Sequence, residues 1–213
     1  RMFEVVNIKQ IPENRQQTIV YCNGKSKAIE LAREFSKFLP ESGDKELDDL
    51  SRDIRNEVHG EYYLTEVIKK GVAYHIGYLP SAIRMRIEDM FRKGKITIMF
   101  CTSTLLEGVN LPADNLFITD FKINRSIMTP VDFRNLIGRV GRIRFNLYGN
   151  VFFVAQGDKI TEKDYVELLQ APIPDQKLSI ESGKTGLQEA EKKYIVSKLL
   201  AGDIEIEKRN TSQ

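Results

Sequence analysis

Cysteine and histidine are scarce, with two of each in 213 residues. That is too thin a set for a structural zinc site. Cys22 and Cys101 each follow an apolar or β-branched run, so they read as reduced thiols packed in a core, as expected of a cytoplasmic protein. An excess of charge of either sign is also missing. Lys and Arg number 32 against 30 Asp and Glu, a formal net charge of +2, which excludes a polybasic tail protein and an acidic disordered chain alike. No apolar run approaches the roughly 18 residues of a membrane span, and no signal peptide opens the chain. What remains is an ordinary globular mixture, 41% hydrophobic and 29% charged, long enough for one domain plus an appendage. The chain opens on Arg1 with Met2 behind it, as a piece of a longer protein would.

Short apolar runs at 18–22, 72–75, 96–101, 115–119 and 151–154 alternate with longer amphipathic stretches at about 25–39, 44–57, 63–70, 80–93 and 129–142. Continuous apolarity predicts strands buried on both faces. The alternation predicts an α/β, three-layer domain with a mainly parallel sheet flanked by helices. The expected organisation is an N-terminal arm or linker at 1–16, a domain at 17–156 with a helical insertion at about 41–70, and a helical appendage with a polar tail at 157–213. No internal repeat of 20–50 residues is present.

Charge is balanced overall but sorted along the chain. Residues 41–57 carry a net −4 and read as a solvated helix; residues 84–95 carry +3 and residues 122–144 carry +5. The basic blocks read either as a surface for a polyanion or as solvated faces.

Two stretches carry chemistry. In the first, Thr129 is a candidate N-cap, Pro130 fits the first helical position, and Asp132 completes a capping-box pattern. Wound at 100° per residue, Phe133, Leu136, Ile137 and Val140 share one arc, while Asn135, Gly138, Arg139 and Arg142 share the opposite one. A polar face alone explains the second arc but not its glycines, since Gly138 and Gly141 each cost roughly 1 kcal/mol of helix propensity against Ala. Glycines beside arginines permit close approach and leave the guanidinium groups free for bidentate contact with phosphate. In the second stretch, Thr102, Ser103 and Thr104 follow a buried run, at the carboxyl end of a strand where open parallel sheets bind ligands. One hydroxyl would serve as an N-cap; three suggest a phosphate site. Gly108, Asn110 and Pro112 then break any helix.

On these residues the chain resembles the second, C-terminal RecA-like domain of a superfamily 2 helicase of the Ski-type, DExH branch. Residues 135–142, N-L-I-G-R-V-G-R, resemble motif VI, with Asn135 where the branch usually has Gln. Residues 102–113, T-S-T-L-L-E-G-V-N-L-P-A, resemble motif V; residues 18–23 resemble motif IV; and Tyr74, His75 and Gly77, followed by Arg84, Glu88, Phe91 and Gly94, resemble the H-x-G element and its helix. The matches fall in the family's order over about 15–155.

The resemblance implies roles by position. Arg139 and Arg142 would be arginine fingers reaching a triphosphate held by a partner domain. Gly108, Asn110, Asn135 and Gly138 would face the nucleotide. Asn23, Lys25, His75, Gly77, Thr102, Ser103 and Thr104 would line the path of nucleic-acid phosphates, with His75 reading equally as a hydrogen-bonded core histidine. The implied cofactors are ATP and Mg²⁺; the implied partners are single-stranded DNA or RNA and the first RecA-like domain of the same protein, with no membrane. Two rival readings share the motifs: a non-catalytic nucleic-acid-binding or scaffold module, and a translocase subunit of a nuclease or remodelling complex.

Two decoys complete the reading. Gly24-Lys25-Ser26 and Gly183-Lys184-Thr185 echo the end of a P-loop, but the first glycine of that motif would fall on Ile19 or Leu178. Neither is a P-loop, so the isolated chain is expected not to hydrolyse ATP.

Overall fold

The computed structural model describes residues 16–58, 62–105, 111, 113–138, 149–173 and 189–201. The chain divides into two compact units, Arg1–Ala171 and Pro172–Gln213. The first is built on a five-stranded sheet: β1 (Thr18–Tyr21), β2 (Val72–His75), β3 (Ile98–Cys101), β4 (Asn115–Ile118) and β7 (Asn150–Phe153), in the order β2-β3-β1-β4-β7. Every pairing is parallel, with Thr18 beside both Ile98 and Asn115, Val72 beside Ile98, and Asn115 beside Asn150. Strands β1 to β4 are buried along their whole length, which is why their sequences are continuously apolar. Between β4 and β7 lies a small antiparallel hairpin, β5 (Lys122–Ile123) and β6 (Ser126–Ile127).

The first unit also holds the helices α1 (Lys25–Ser36), α2 (Lys45–Glu57), α3 (Leu64–Ile68), α4 (Ser81–Arg92), α5 (Pro130–Ile137) and α6 (Glu162–Gln170). Helix α1 lies over β2 and β3 through Ala28, Ala32 and Phe35. Ala28 and Ala32 are one turn apart, so they keep the helix close to the sheet. In α2, Leu47, Leu50 and Ile54 are fully buried. The stretch expected as a solvated helix is therefore amphipathic, with a core-facing apolar stripe under its carboxylates.

Those carboxylates meet the first basic block. Lys95 lies 2.9 Å from Asp44 and 2.7 Å from Glu46, Lys93 lies 2.8 Å from Glu46, and Arg86 lies 2.6 Å from Asp53. The lysine contacts hold Asp44 and Glu46 below the usual carboxylate range and raise Lys95. Of the cations in 84–95, Arg86, Arg92, Lys93 and Lys95 are thus engaged by carboxylates of the fold.

Helix α5 starts as its sequence dictates. The Thr129 hydroxyl accepts from the Asp132 amide at 3.1 Å, and Pro130 occupies the first turn. The Thr129 hydroxyl also donates to the Asp132 carboxylate at 2.7 Å. Helix α6 packs on the sheet beside β4 and β7. Its Tyr165 is buried and stacks on Phe153 at 4.8 Å, and its hydroxyl donates to the Ile118 carbonyl at 3.0 Å. A full capping box between Thr161 and Asp164 starts it. In the second unit the described structure is chiefly the helix α7 (Glu189–Leu200). No helix among the described residues is long and apolar enough to cross a membrane.

Candidate nucleic-acid interface

The sheet order decides where a ligand can enter. From β1 the chain passes to β2 on one side; from β3 it passes to β4 on the other. Neighbouring strands whose connections diverge leave a crevice at their carboxyl ends. A cleft of about 720 Å³ opens there, lined by Asn23, Lys25, Gly77, Thr102, Ser103 and Thr104. These six positions come from three separate loops, and parallel register brings them to one rim.

Each loop contributes differently. After β1, Gly24 adopts φ 115, a left-handed-region value that a side chain would strain. That turn starts α1 without a side-chain cap, so the first N–H groups of a 12-residue helix face the cleft beside the Lys25 ammonium. Asn23 spends its side-chain amide on the rim, donating to the Asn124 carbonyl at 3.0 Å and to Asp120 at 3.3 Å. The hairpin β5–β6 is thereby clamped to the loop after β1, with the Tyr21 hydroxyl donating to the Lys122 carbonyl at 2.8 Å as a second tie. After β2, Gly77 lies against the third loop; a Cβ added there would stand 3.1 Å from the Thr104 methyl. After β3, Ser103–Leu105 form a 3₁₀ turn, and the Thr102 and Thr104 hydroxyls are 3.3 Å apart.

His75 is the exception among the predicted contact residues. It is 1% exposed and does not line the cleft. Its Nε2 is 2.9 Å from Glu88 and its Nδ1 is 3.4 Å from the Thr104 hydroxyl. The core-histidine reading fits this placement, because a ligand cannot reach a ring enclosed by β2, α4 and the loop after β3. Burial holds its pKa below the ordinary value, with Glu88 opposing. Cys22 borders the cleft but is fully buried, and burial pushes its thiol up to about 12, so it is inert at neutral pH.

Of the nucleotide-facing set, Asn135 and Gly138 are exposed on the face of α5 opposite Phe133 and Leu136, as the helical winding predicts. Gly108, Asn110, Arg139 and Arg142 lie outside the described residues. Arg134, counted in the second basic block, turns away; it donates to the Leu169 and Ala171 carbonyls at 3.3 and 2.8 Å and so caps the end of α6. Among the described residues, no group of three or more His, Cys, Asp or Glu could hold a metal ion. Sequence reasoning missed Tyr78, an exposed ring at the lip of the cleft; an aromatic in the turn directly after Gly77 was the available signal.

The helicase conserved C-terminal domain pattern matches residues 4–144, about two thirds of the chain and all of the cleft. The chain belongs to the helicase conserved C-terminal domain family. Individual members are distant relatives. An ATP-dependent DNA helicase Hel308 from Methanococcus vannielii is 32% identical over 160 residues, covering 70% of this chain and 21% of that protein. The human protein named helicase POLQ-like is 28% identical over 158 residues, covering 71% of this chain and 14% of that protein. Anti-bacteriophage protein B of Escherichia coli K12 is 30% identical over 135 residues, covering 63% of this chain and 18% of that protein. This helicase C-terminal domain spans about a fifth of the Hel308 relatives it matches.

Proposed function

We propose that the chain is the C-terminal motor lobe of an ATP-dependent nucleic-acid helicase. It grips the backbone of one strand and supplies arginines to a nucleotide held against it by a first RecA-like lobe. The observation that carries the reading is the cleft. Three hydroxyls, a bare glycine turn, a lysine and an uncapped helix start converge at the carboxyl ends of β1, β2 and β3. That set offers donors and positive charge but no base-reading edge, which suits phosphates and sugars rather than sequence. The Hel308 relatives are named as DNA helicases, which supports DNA as the strand.

Under this proposal the residues take the following roles. Thr102 and Ser103 donate to backbone phosphates, Thr104 lines the same cleft with its hydroxyl proton given to His75, Lys25 adds charge, and Gly77 leaves room for the strand. Asn23 holds the rim through its bonds to the hairpin. His75 contacts no phosphate; it positions Thr104 from behind. Asn135 and Gly138 form an exposed helix end that suits a nucleotide-facing surface, and Gly108 and Asn110 are assigned the same role. Arg139 and Arg142 reach the phosphates across the interlobe gap. ATP with Mg²⁺, held mainly by the first lobe, supplies the phosphoanhydride whose hydrolysis makes closure reversible. The two arginines bind that phosphate more tightly in the closed arrangement, so they shift the population toward it.

An arginine finger is worth roughly 10³–10⁵ in kcat. In the complete protein, Arg142→Ala is expected to abolish strand-stimulated ATP turnover and leave oligonucleotide affinity within about twofold of wild type. Unchanged turnover removes the role assigned to Arg142. A complete protein with no turnover at all favours the scaffold reading, and turnover without duplex separation favours a translocase.

A further inference from the structure

We propose that Tyr78 is a stacking platform for one unpaired nucleobase, placed beside the phosphate-binding cleft; the inference rests on the reading of that cleft given above. Tyr78 occupies a turn from Ile76 to Leu79, closed by the Leu79 amide donating to the Ile76 carbonyl at 3.2 Å. Ile76 and Leu79 are each 2% exposed, so both ends of the turn are anchored in the core. Pro80 follows at the start of α4 and disfavours a helical conformation at Leu79. Between those anchors Tyr78 is 78% exposed. The backbone thus fixes the base of the ring while the ring itself stands in solvent.

Its surroundings point to a ligand with a π-face. The Lys25 ammonium stands 3.8 Å from the ring centroid, close enough for a cation–π contact that holds the ring against the cleft. Gly77 adjoins Tyr78 in the chain and packs against Thr104, so the hydroxyls proposed for a phosphate and the ring proposed for its base border the same cleft. The Lys25 ammonium, which borders the same cleft, lies against the tyrosine ring. Base–aromatic stacking tolerates every base, because each has a flat face. It does not tolerate a paired base, whose faces are covered by its neighbours in the duplex. Tyr78 therefore adds preference for single strands without adding sequence specificity.

The test uses the complete protein and two short labelled oligonucleotides of equal length, oligothymidylate and its abasic counterpart. Tyr78→Ala is expected to weaken oligothymidylate binding roughly 5- to 100-fold and to leave abasic binding unchanged, and Tyr78→Phe is expected to retain wild-type affinity for both. Equal weakening toward both oligonucleotides, or no weakening toward oligothymidylate, overturns the stacking role. Thr102→Val with Lys25→Ala tests the cleft separately. That double variant must weaken abasic binding, and if it does not, the phosphate reading fails irrespective of Tyr78. Thermal unfolding of each variant checks that the exposed substitution has left the fold intact.

Discussion

Glu88 and Thr104 hold the two ring nitrogens of His75 from opposite sides. With Glu88 as a carboxylate, Nε2 carries the proton and donates, and Nδ1 accepts from the Thr104 hydroxyl. Arg92 steadies the outer oxygen of Glu88 at 3.4 Å, and Arg84, also on α4, adds positive potential. Burial is the largest influence on the ring and keeps it neutral; Arg84 acts in the same direction and Glu88 against it. A folded pKa below the unfolded value means that the unfolded chain takes up protons first as pH falls. The resulting stability is complete above the ordinary value of 6.5 and is lost below it, as pH descends toward the folded value. Asp44, Glu46 and Asp164 titrate below the usual carboxylate range, so they contribute nothing in this window. The urea midpoint is expected to fall between about pH 7 and about pH 5.5, and His75→Asn is expected to flatten that decline. An equally steep decline in the variant would assign the effect to another group.

At the scale of elements, packing of α6 against the sheet is the most exposed to test. Tyr165 forms a three-ring cluster with Phe153 and Phe133, and its hydroxyl reaches the Ile118 and Val154 carbonyls at 3.0 and 3.3 Å. Tyr165→Phe keeps the stack and removes the donor. A loss of about 1 kcal/mol in urea unfolding is expected, and no loss would mean the hydroxyl bonds contribute nothing net. This helix was the least legible element. Val166 and Leu169 are 38% and 40% exposed, so its apolar residues do not form one clean stripe, and Asp164 replaces the Glu or Gln of the usual capping box. The hairpin β5–β6 was illegible for a different reason, since strands of two residues carry no periodicity. The sheet strands were readable because burial on both faces forced continuous apolarity, and α5 because Thr129-Pro130 states its own start. The cleft was readable only in part. Excess hydroxyls drew Thr102, Ser103 and Thr104 out of the sequence, and they line the cleft, whereas Tyr78 looked like one more aromatic until the turn around it proved anchored and the ring exposed.

For the whole molecule the governing quantity is where its charge remains free. A net of +2 predicts almost no long-range attraction for a polyanion, and the basic block at 84–95 is tied to α2 through Lys93, Lys95 and Arg86. Arg134 is engaged by α6 carbonyls, and Lys27 pairs with Glu30 at 3.4 Å. Around the cleft, Lys25 has an aromatic face rather than a carboxylate as its partner. Binding of a single strand should therefore depend on salt through a few local contacts, each worth about 0.7 in the slope of log K against log salt. Lys25→Ala is expected to lower that slope by about one such contact, measured by oligonucleotide titration across a salt series. Lys93→Ala, equally basic on paper, is expected to leave the slope unchanged, because its charge already answers Glu46. A larger change from Lys93 than from Lys25 would move the strand out of the cleft and onto the face of α4.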